Sequence, residues 1–169
     1  MVKYLEVEQT FAEVPDEISL CINITNCPCH CPDCHSKWLW EDTGTELTTD
    51  EIDTLIKNNP GISCIVFMGG DDDPNYVAEL GFYIKHKYED LKTCWYSGRD
   101  NLYEFKNKNY INAFDYIKLG RYDQTYGPLN VKTTNQRMYY HKDNTESISL
   151  SDGSWENITY KFLPNKNLI

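Results

Sequence analysis

The nine residues Cys27-Pro-Cys-His-Cys-Pro-Asp-Cys-His35 hold four cysteines and two histidines, a density of metal-ligating side chains found nowhere else in the chain. Cys27, Cys31 and Cys34 stand in the spacing CxxxCxxC. That offers three thiolates where a saturated ferredoxin-type 4Fe-4S cluster takes four. A cluster held by three thiolates keeps one iron open, and an open iron can bind a ligand that does chemistry. Pro28 and Pro32 restrict the backbone between the sulfurs, so a short irregular loop can wrap them around one face of a cubane. The rival arrangement is a structural zinc site on Cys31 and Cys34, completed by Cys27 or Cys29 and by His30 or His35. Such sites usually pair two separated knuckles, and no second ligand pair follows here. Cys29 could replace Cys27 in an alternative register, but CxxxCxxC makes it a bystander.

The residues around the loop must form elements that position it. Ile18 to Thr25, Ile62 to Phe67, Lys92 to Tyr96 and Phe114 to Lys118 have the β-branched and aromatic character of buried strands. A helix is expected between the first two: Thr48 and Glu51 have capping-box spacing, Ile52, Leu55 and Ile56 share a face, and Asn58-Asn-Pro-Gly61 is the stop. Asp73-Pro74 opens a second helix carrying Val77, Leu80, Ile84 and Tyr88 at helical spacing. Asp100 to Asn112, with Leu102, Phe105 and Tyr110, reads as a short helix or an ordered loop. Gln136 to Tyr140 and Trp155 to Phe162 read as a terminal hairpin across the polar segment Lys142 to Ser154.

This alternation predicts an α/β fold: a mostly parallel sheet, open or closed in part like a section of a β/α barrel, with a C-terminal hairpin, all in one domain over residues 1–169. Four loops then meet at the C-terminal ends of the strands, where such sheets bind ligands. They are the cysteine loop, Gly69-Gly-Asp-Asp-Asp73, Ser97-Gly-Arg99 and Leu119-Gly-Arg-Tyr122.

Composition narrows the partners. The formal net charge of −10, with no run of Lys or Arg, argues against a nucleic-acid backbone or an anionic membrane. The N-terminal residues carry early acids and no apolar core of signal-peptide length, so a cytoplasmic location is expected. Seven cysteines, an odd number with four crowded into one loop, favour reduced thiols over a disulfide framework, and Cys21, Cys64 and Cys94 read as small apolar residues.

The CxxxCxxC triplet after one strand, followed by a strand ending in Gly69-Gly-Asp71, resembles the radical S-adenosylmethionine superfamily. Asn26-Cys-Pro-Cys-His-Cys-Pro-Asp-Cys-His-Ser36, Phe67-Met-Gly-Gly-Asp71, Trp95-Tyr-Ser-Gly-Arg99 and Thr134-Asn-Gln-Arg137 together resemble the anaerobic ribonucleoside-triphosphate reductase activating proteins. The resemblance implies a 4Fe-4S cluster on Cys27, Cys31 and Cys34, with S-adenosylmethionine chelating the open iron. It further implies a 5′-deoxyadenosyl radical that abstracts hydrogen from a backbone glycine of the large reductase subunit, and a flavodoxin-like reductant. Activation of another glycyl radical enzyme, such as a formate-lyase type, or radical modification of a small molecule would use the same motifs, and a zinc-stabilised interaction module stands as the reading from another class.

By the same resemblance, Gly69, Gly70 and Asp71 would contact the methionyl amino group, because glycines permit close approach and a carboxylate accepts from an ammonium. Ser97 and Arg99 would reach ribose or carboxylate if they are not simply a turn, and Lys118 would pair with the methionyl carboxylate. Asn135, Gln136 and Arg137 would cover the cofactor, contact the partner, or brace their own segment. Trp38, Leu39 and Trp40 are candidates for a partner-facing rim. The chain departs from the family pattern at Lys118, where many members have an acid, at Thr133-Thr134 in place of Gly-Ser, and at Asp71 in place of the longer Glu.

Overall fold

A computed structural model describes residues 1–100, 109–142 and 154–164. The chain runs β1 (Lys3–Thr10), β2 (Ser19–Ile24), β3 (Thr45–Glu46), α1 (Thr49–Asn58), β4 (Cys64–Met68), α2 (Pro74–Lys87), β5 (Lys92–Tyr96), β6 (Tyr116–Leu119), β7 (Arg137–His141) and β8 (Trp155–Asn157). Short 3-10 turns lie at Lys37–Trp40, Asn109–Ala113 and Thr159–Phe162. The expected residues Leu102 and Phe105, and the greater part of the polar loop from Lys142 to Ser154, lie outside the described residues.

The helices begin where the side chains can satisfy their free N–H groups. Thr48 Oγ1 accepts from Glu51 N at 3.2 Å, and Asp73 Oδ1 accepts from Tyr76 N at 3.2 Å, with Pro74 in the first turn where its missing N–H costs nothing. The helices are locked to each other by Asp53 on α1. Its carboxylate accepts from Tyr83 at 2.9 Å, Tyr88 at 2.7 Å and Lys87 at 2.6 Å, all from α2 or its C-terminal cap.

The eight strands form one sheet in the order β3-β1-β2-β4-β5-β6-β7-β8. The expectation of a mostly parallel partial β/α barrel is corrected here. Only β2–β4, β4–β5 and β5–β6 pair parallel, whereas β1–β2, β1–β3, β6–β7 and β7–β8 pair antiparallel. A β/α barrel needs a helix after each strand, and the described residues contain two α-helices. The parallel centre is legible because strands buried on both faces are near-continuous apolar runs. β1 carries no such signal: Lys-Tyr-Leu-Glu-Val-Glu-Gln-Thr lies near the sheet edge with Leu5, Glu6, Glu8 and Gln9 exposed. At the other end, Ile158 leaves the extended region (φ −107, ψ 16), so β8 stops at Asn157 and a 3-10 turn follows.

Two-residue periodicity sorts the centre into two layers. Leu20, Ile22, Ile65, Phe67, Trp95 and Ile117 point to the side of α1 and α2, in one core with Ile52, Leu80 and Ile84. Cys21, Cys64, Val66, Cys94 and Tyr116 point the other way, in one cluster with Met138 of β7, Val14 and Ile158. Burial raises the thiol pKa of Cys21 to about 12 and those of Cys64 and Cys94 well above the ordinary value, so these three stay protonated and pack as small apolar groups.

Trp95 joins this core to the strand ends. Its ring is fully buried and stacks on Phe114 (centroids 5.5 Å apart), and its indole N–H donates to the Gly69 carbonyl at 2.8 Å. Trp95→Phe removes that donor and leaves a void, and is expected to cost about 2–4 kcal/mol in a chemical denaturation experiment.

Candidate metal centre

The cysteine loop leaves β2 through Asn26, which takes the left-handed conformation (φ 59) that Asn tolerates better than most residues. Two hydrogen bonds close its neck, Asn26 N–H to Glu41 O at 3.1 Å and Cys27 N–H to Leu39 O at 3.0 Å, and Leu39 is buried beneath as an anchor. Inside the loop, Cys34 N–H donates to Cys31 O at 3.0 Å, and Ser36 N–H donates to Cys34 Sγ at 3.4 Å. The rings of His30 and Trp40 stack at 4.7 Å, and His35 lies 4.6 Å from Tyr122 of the β6–β7 connection. Trp38 is 53% exposed, so it faces outward, whereas Trp40 turns in and lines the cleft.

That cleft has a volume of about 170 Å³ and is lined by Cys27, Cys29, Cys31 and Cys34 on one side. Facing them are Gly69, Asp71, Ser97 and Lys118 from the ends of β4, β5 and β6. Parallel pairing of β2, β4, β5 and β6 is what brings these ends to one edge of the sheet. All three expected metal ligands and four of the five expected cofactor contacts therefore share one cavity. The exception is Gly70. It is buried under α2, and a Cβ there would stand 2.5 Å from Val77 Cγ2. With φ at +87, its glycine is required by packing and backbone conformation rather than by the cleft wall.

The three aspartates after Gly70 have separate roles. Asp72 accepts from Asn26 Nδ2 at 2.7 Å, pinning the cysteine loop, and Asp73 caps α2 while pairing with the Met1 ammonium at 2.7 Å. Asp71 is 3% exposed and turns into the site. Ser97 Oγ donates to its Oδ1, Gly98 N–H donates to Oδ2 at 3.0 Å, and the Cys29 thiol donates to Oδ2 at 3.7 Å. Arg99 adds its guanidinium, with Nε 3.7 Å from Oδ1 and Nη2 donating to the Asp71 carbonyl at 3.3 Å.

Lys118 is buried on the face opposite the helices, with Nζ 5.7 Å from the Tyr96 ring centroid and donating to Gly120 O at 3.0 Å. Desolvation lowers its pKa to about 8, against the opposing pull of the Cys31 and Asp71 charges. Cys27 is shifted to the acidic side for a thiol, to about 6, chiefly by the Cys29 side chain beside it and by backbone N–H groups of the loop, while Cys29 itself is raised. At neutral pH the loop thus offers a thiolate, the form that binds metal.

Asn135, Gln136 and Arg137 brace their own segment. Asn135 Nδ2 donates to Arg121 O at 2.9 Å, Gln136 Nε2 to Gly120 O at 3.2 Å, and Arg137 Nη1 to Gln136 O at 2.7 Å. Gly98 is a site residue that the sequence does not single out: a Cβ there would lie 2.4 Å from Cys29 Sγ. Its position in Ser-Gly-Arg at a strand end is the available signal.

Among the described residues, no three His, Cys, Asp or Glu side chains converge on a point that a single metal ion could occupy; the thiols are spread along the cleft wall. Residues 18–139 match the family described as 4Fe-4S single cluster domain, and that stretch is well over half of the chain. The chain belongs to the 4Fe-4S single cluster domain family. No curated protein and no solved structure matches it. The donor set fits the group a 4Fe-4S domain holds: soft thiols on one loop, one of them acidified, beside a cavity closed by β-strand ends. Among the described residues, no helix is long and apolar enough to cross a membrane.

Two outcomes are expected. Gly98→Ala drives the Cys29 sulfur out of its place against Asp71, and labelling of Cys29 in the apoprotein is expected to accelerate several-fold. For Lys118, the unfolded pKa near 10.5 exceeds the folded value of about 8, so between these pH values the unfolded state binds more protons. The destabilisation from burying the charge is complete below about pH 8 and is relieved as pH rises toward 10.5. The apoprotein should gain stability over that window relative to Lys118→Met, as read from paired melting curves.

Proposed function

We propose that the protein is a radical S-adenosylmethionine activase. It would install a glycyl radical on the large subunit of an anaerobic ribonucleoside-triphosphate reductase, after reduction by a flavodoxin-like donor. The observation that carries this reading is a buried ammonium and a buried carboxylate in the same cleft as the thiols, each free of a direct bond to the other. Lys118 and Asp71 sit in the same cleft as Cys27, Cys31 and Cys34. A purely structural or electron-transfer cluster has no use for the buried Lys118 ammonium, which is costly to desolvate and is met by a single carbonyl. A zwitterionic amino acid presents a carboxylate and an ammonium, and it complements Lys118 and Asp71.

In this reading Cys27, Cys31 and Cys34 hold the cluster by three irons. Lys118 has one hydrogen bond to a carbonyl, so two of its three donors are free to meet the methionyl carboxylate. Asp71 accepts from the methionyl ammonium, and Ser97 and Gly98 hold its carboxylate in the required orientation. The Gly69 carbonyl is engaged by Trp95, so Gly69 serves by leaving room. When bound, the reduced cluster and S-adenosylmethionine supply a 5′-deoxyadenosyl radical able to take a hydrogen atom from glycine. Trp38, exposed next to the loop, supports a protein partner at this rim.

The test is the low-temperature EPR spectrum of anaerobically purified, dithionite-reduced protein, with and without S-adenosylmethionine. A 4Fe-4S signal that changes on addition is expected; a signal indifferent to S-adenosylmethionine, or stoichiometric zinc without iron, would overturn the reading. Serine at Cys27, Cys31 or Cys34 should lower bound iron severely. Lys118→Met should keep the iron and weaken S-adenosylmethionine binding by about 10- to 100-fold, the equivalent of one charged hydrogen bond.

A further inference from the structure

The cysteine loop carries one thiol more than a three-thiolate cluster uses. Cys29 is neither in a disulfide nor packed in the apolar core. Its sulfur lines the same cleft as the other three. It lies on the strand-end side of that cleft, 3.7 Å from Asp71 Oδ2 and so close to Gly98 that no Cβ could stand between them. That is the side from which, in the function proposed above, the methionyl amino group would approach the open iron. Four thiolates are the complete ligand set of a saturated 4Fe-4S cluster.

We propose that Cys29 is an exchangeable fourth cluster ligand, which closes the open iron while the cleft holds no S-adenosylmethionine and gives way when it binds. The inference rests on that functional reading. The exchange breaks the bond between iron and Cys29 sulfur and makes bonds from the same iron to the amine nitrogen and a carboxylate oxygen. The methionyl ammonium must lose one proton before its nitrogen can coordinate, and the released Cys29 thiolate takes one up. No electron is transferred, and no further reactant is required. The consequence is a resting cluster protected from losing iron, because an iron without a protein ligand is the one that oxidants remove.

The experiment compares anaerobically reconstituted wild-type protein with Cys29→Ser and Cys29→Ala, without S-adenosylmethionine, during titration with ferricyanide. Bound iron and the EPR signal of a 3Fe-4S cluster are the readouts. The wild type should retain four irons under conditions in which both variants lose one iron per chain, at least tenfold faster. Equal loss from wild type and variants overturns the proposal. A second measurement needs no variant: iodoacetamide labelling followed by peptide mass spectrometry. Cys29 should label slowly but measurably in the apoprotein, because its thiol is held protonated, and cluster loading should slow it at least tenfold further; labelling at the apoprotein rate after loading overturns the proposal.

The EPR response of the same loaded protein to S-adenosylmethionine separates the two ideas. A spectrum that responds, from protein whose Cys29 is never protected, overturns the exchange and leaves the enzyme reading standing. A spectrum that does not respond overturns both.

Discussion

The carboxylate of Asp71 is the point on which the site depends. A carboxylate that is almost wholly removed from water must be met by donors, or its desolvation would destabilise the fold by several kcal/mol. Its donors come from separate parts of the chain: Ser97 and Gly98 after β5, Arg99 beyond them, and Cys29 from the loop after β2. Satisfying one buried group therefore draws three strand-end segments together. The parallel register of β2, β4 and β5 makes this possible, since only strands running the same way deliver their C-terminal ends to one edge.

Lys118 shows the opposite balance. Its ammonium is buried with one carbonyl partner, and the shift of its pKa to about 8 records the cost of holding that charge away from water. A methionine or leucine of similar volume would serve the fold better. A destabilising charge at a cavity wall is what the proposed binding role of Lys118 builds on. The rest of the molecule offsets it: a helix-side core centred on Phe67, Trp95 and Phe114, and the Asp53 knot between α1 and α2.

Much of the centre is legible in the sequence because its physical signals are local. The runs that form β2, β4, β5 and β6, the caps at Thr48 and Asp73, and the cysteine spacing each announce themselves within a few residues. What escapes depends on distant partners. β1 is a strand because β2 offers it an edge, and its own residues are polar enough to hide it. Without β1, β3 and the antiparallel flank, the pattern of a mixed sheet reads as a barrel. Gly98 does not stand out, because its constraint comes from a sulfur nearly seventy residues away in sequence. Gly70 stands out by its spacing, yet what requires a glycine there is Val77 rather than the cleft.

The three cysteines behind the sheet bear on how the protein acquires iron. Cys21, Cys64 and Cys94 lie in one packed layer opposite the helices, with Val66 between Cys21 and Cys94, and their burial keeps them as thiols far above neutral pH. Metal ions are captured by thiolates, so a folded chain with seven cysteines presents incoming ferrous iron with a single competent landing place. A chain that folded before metallation would thus hide the cysteines that could scavenge metal in the wrong stoichiometry and leave the loop to receive it. Were the order reversed, an unfolded chain would expose all seven as equal competitors.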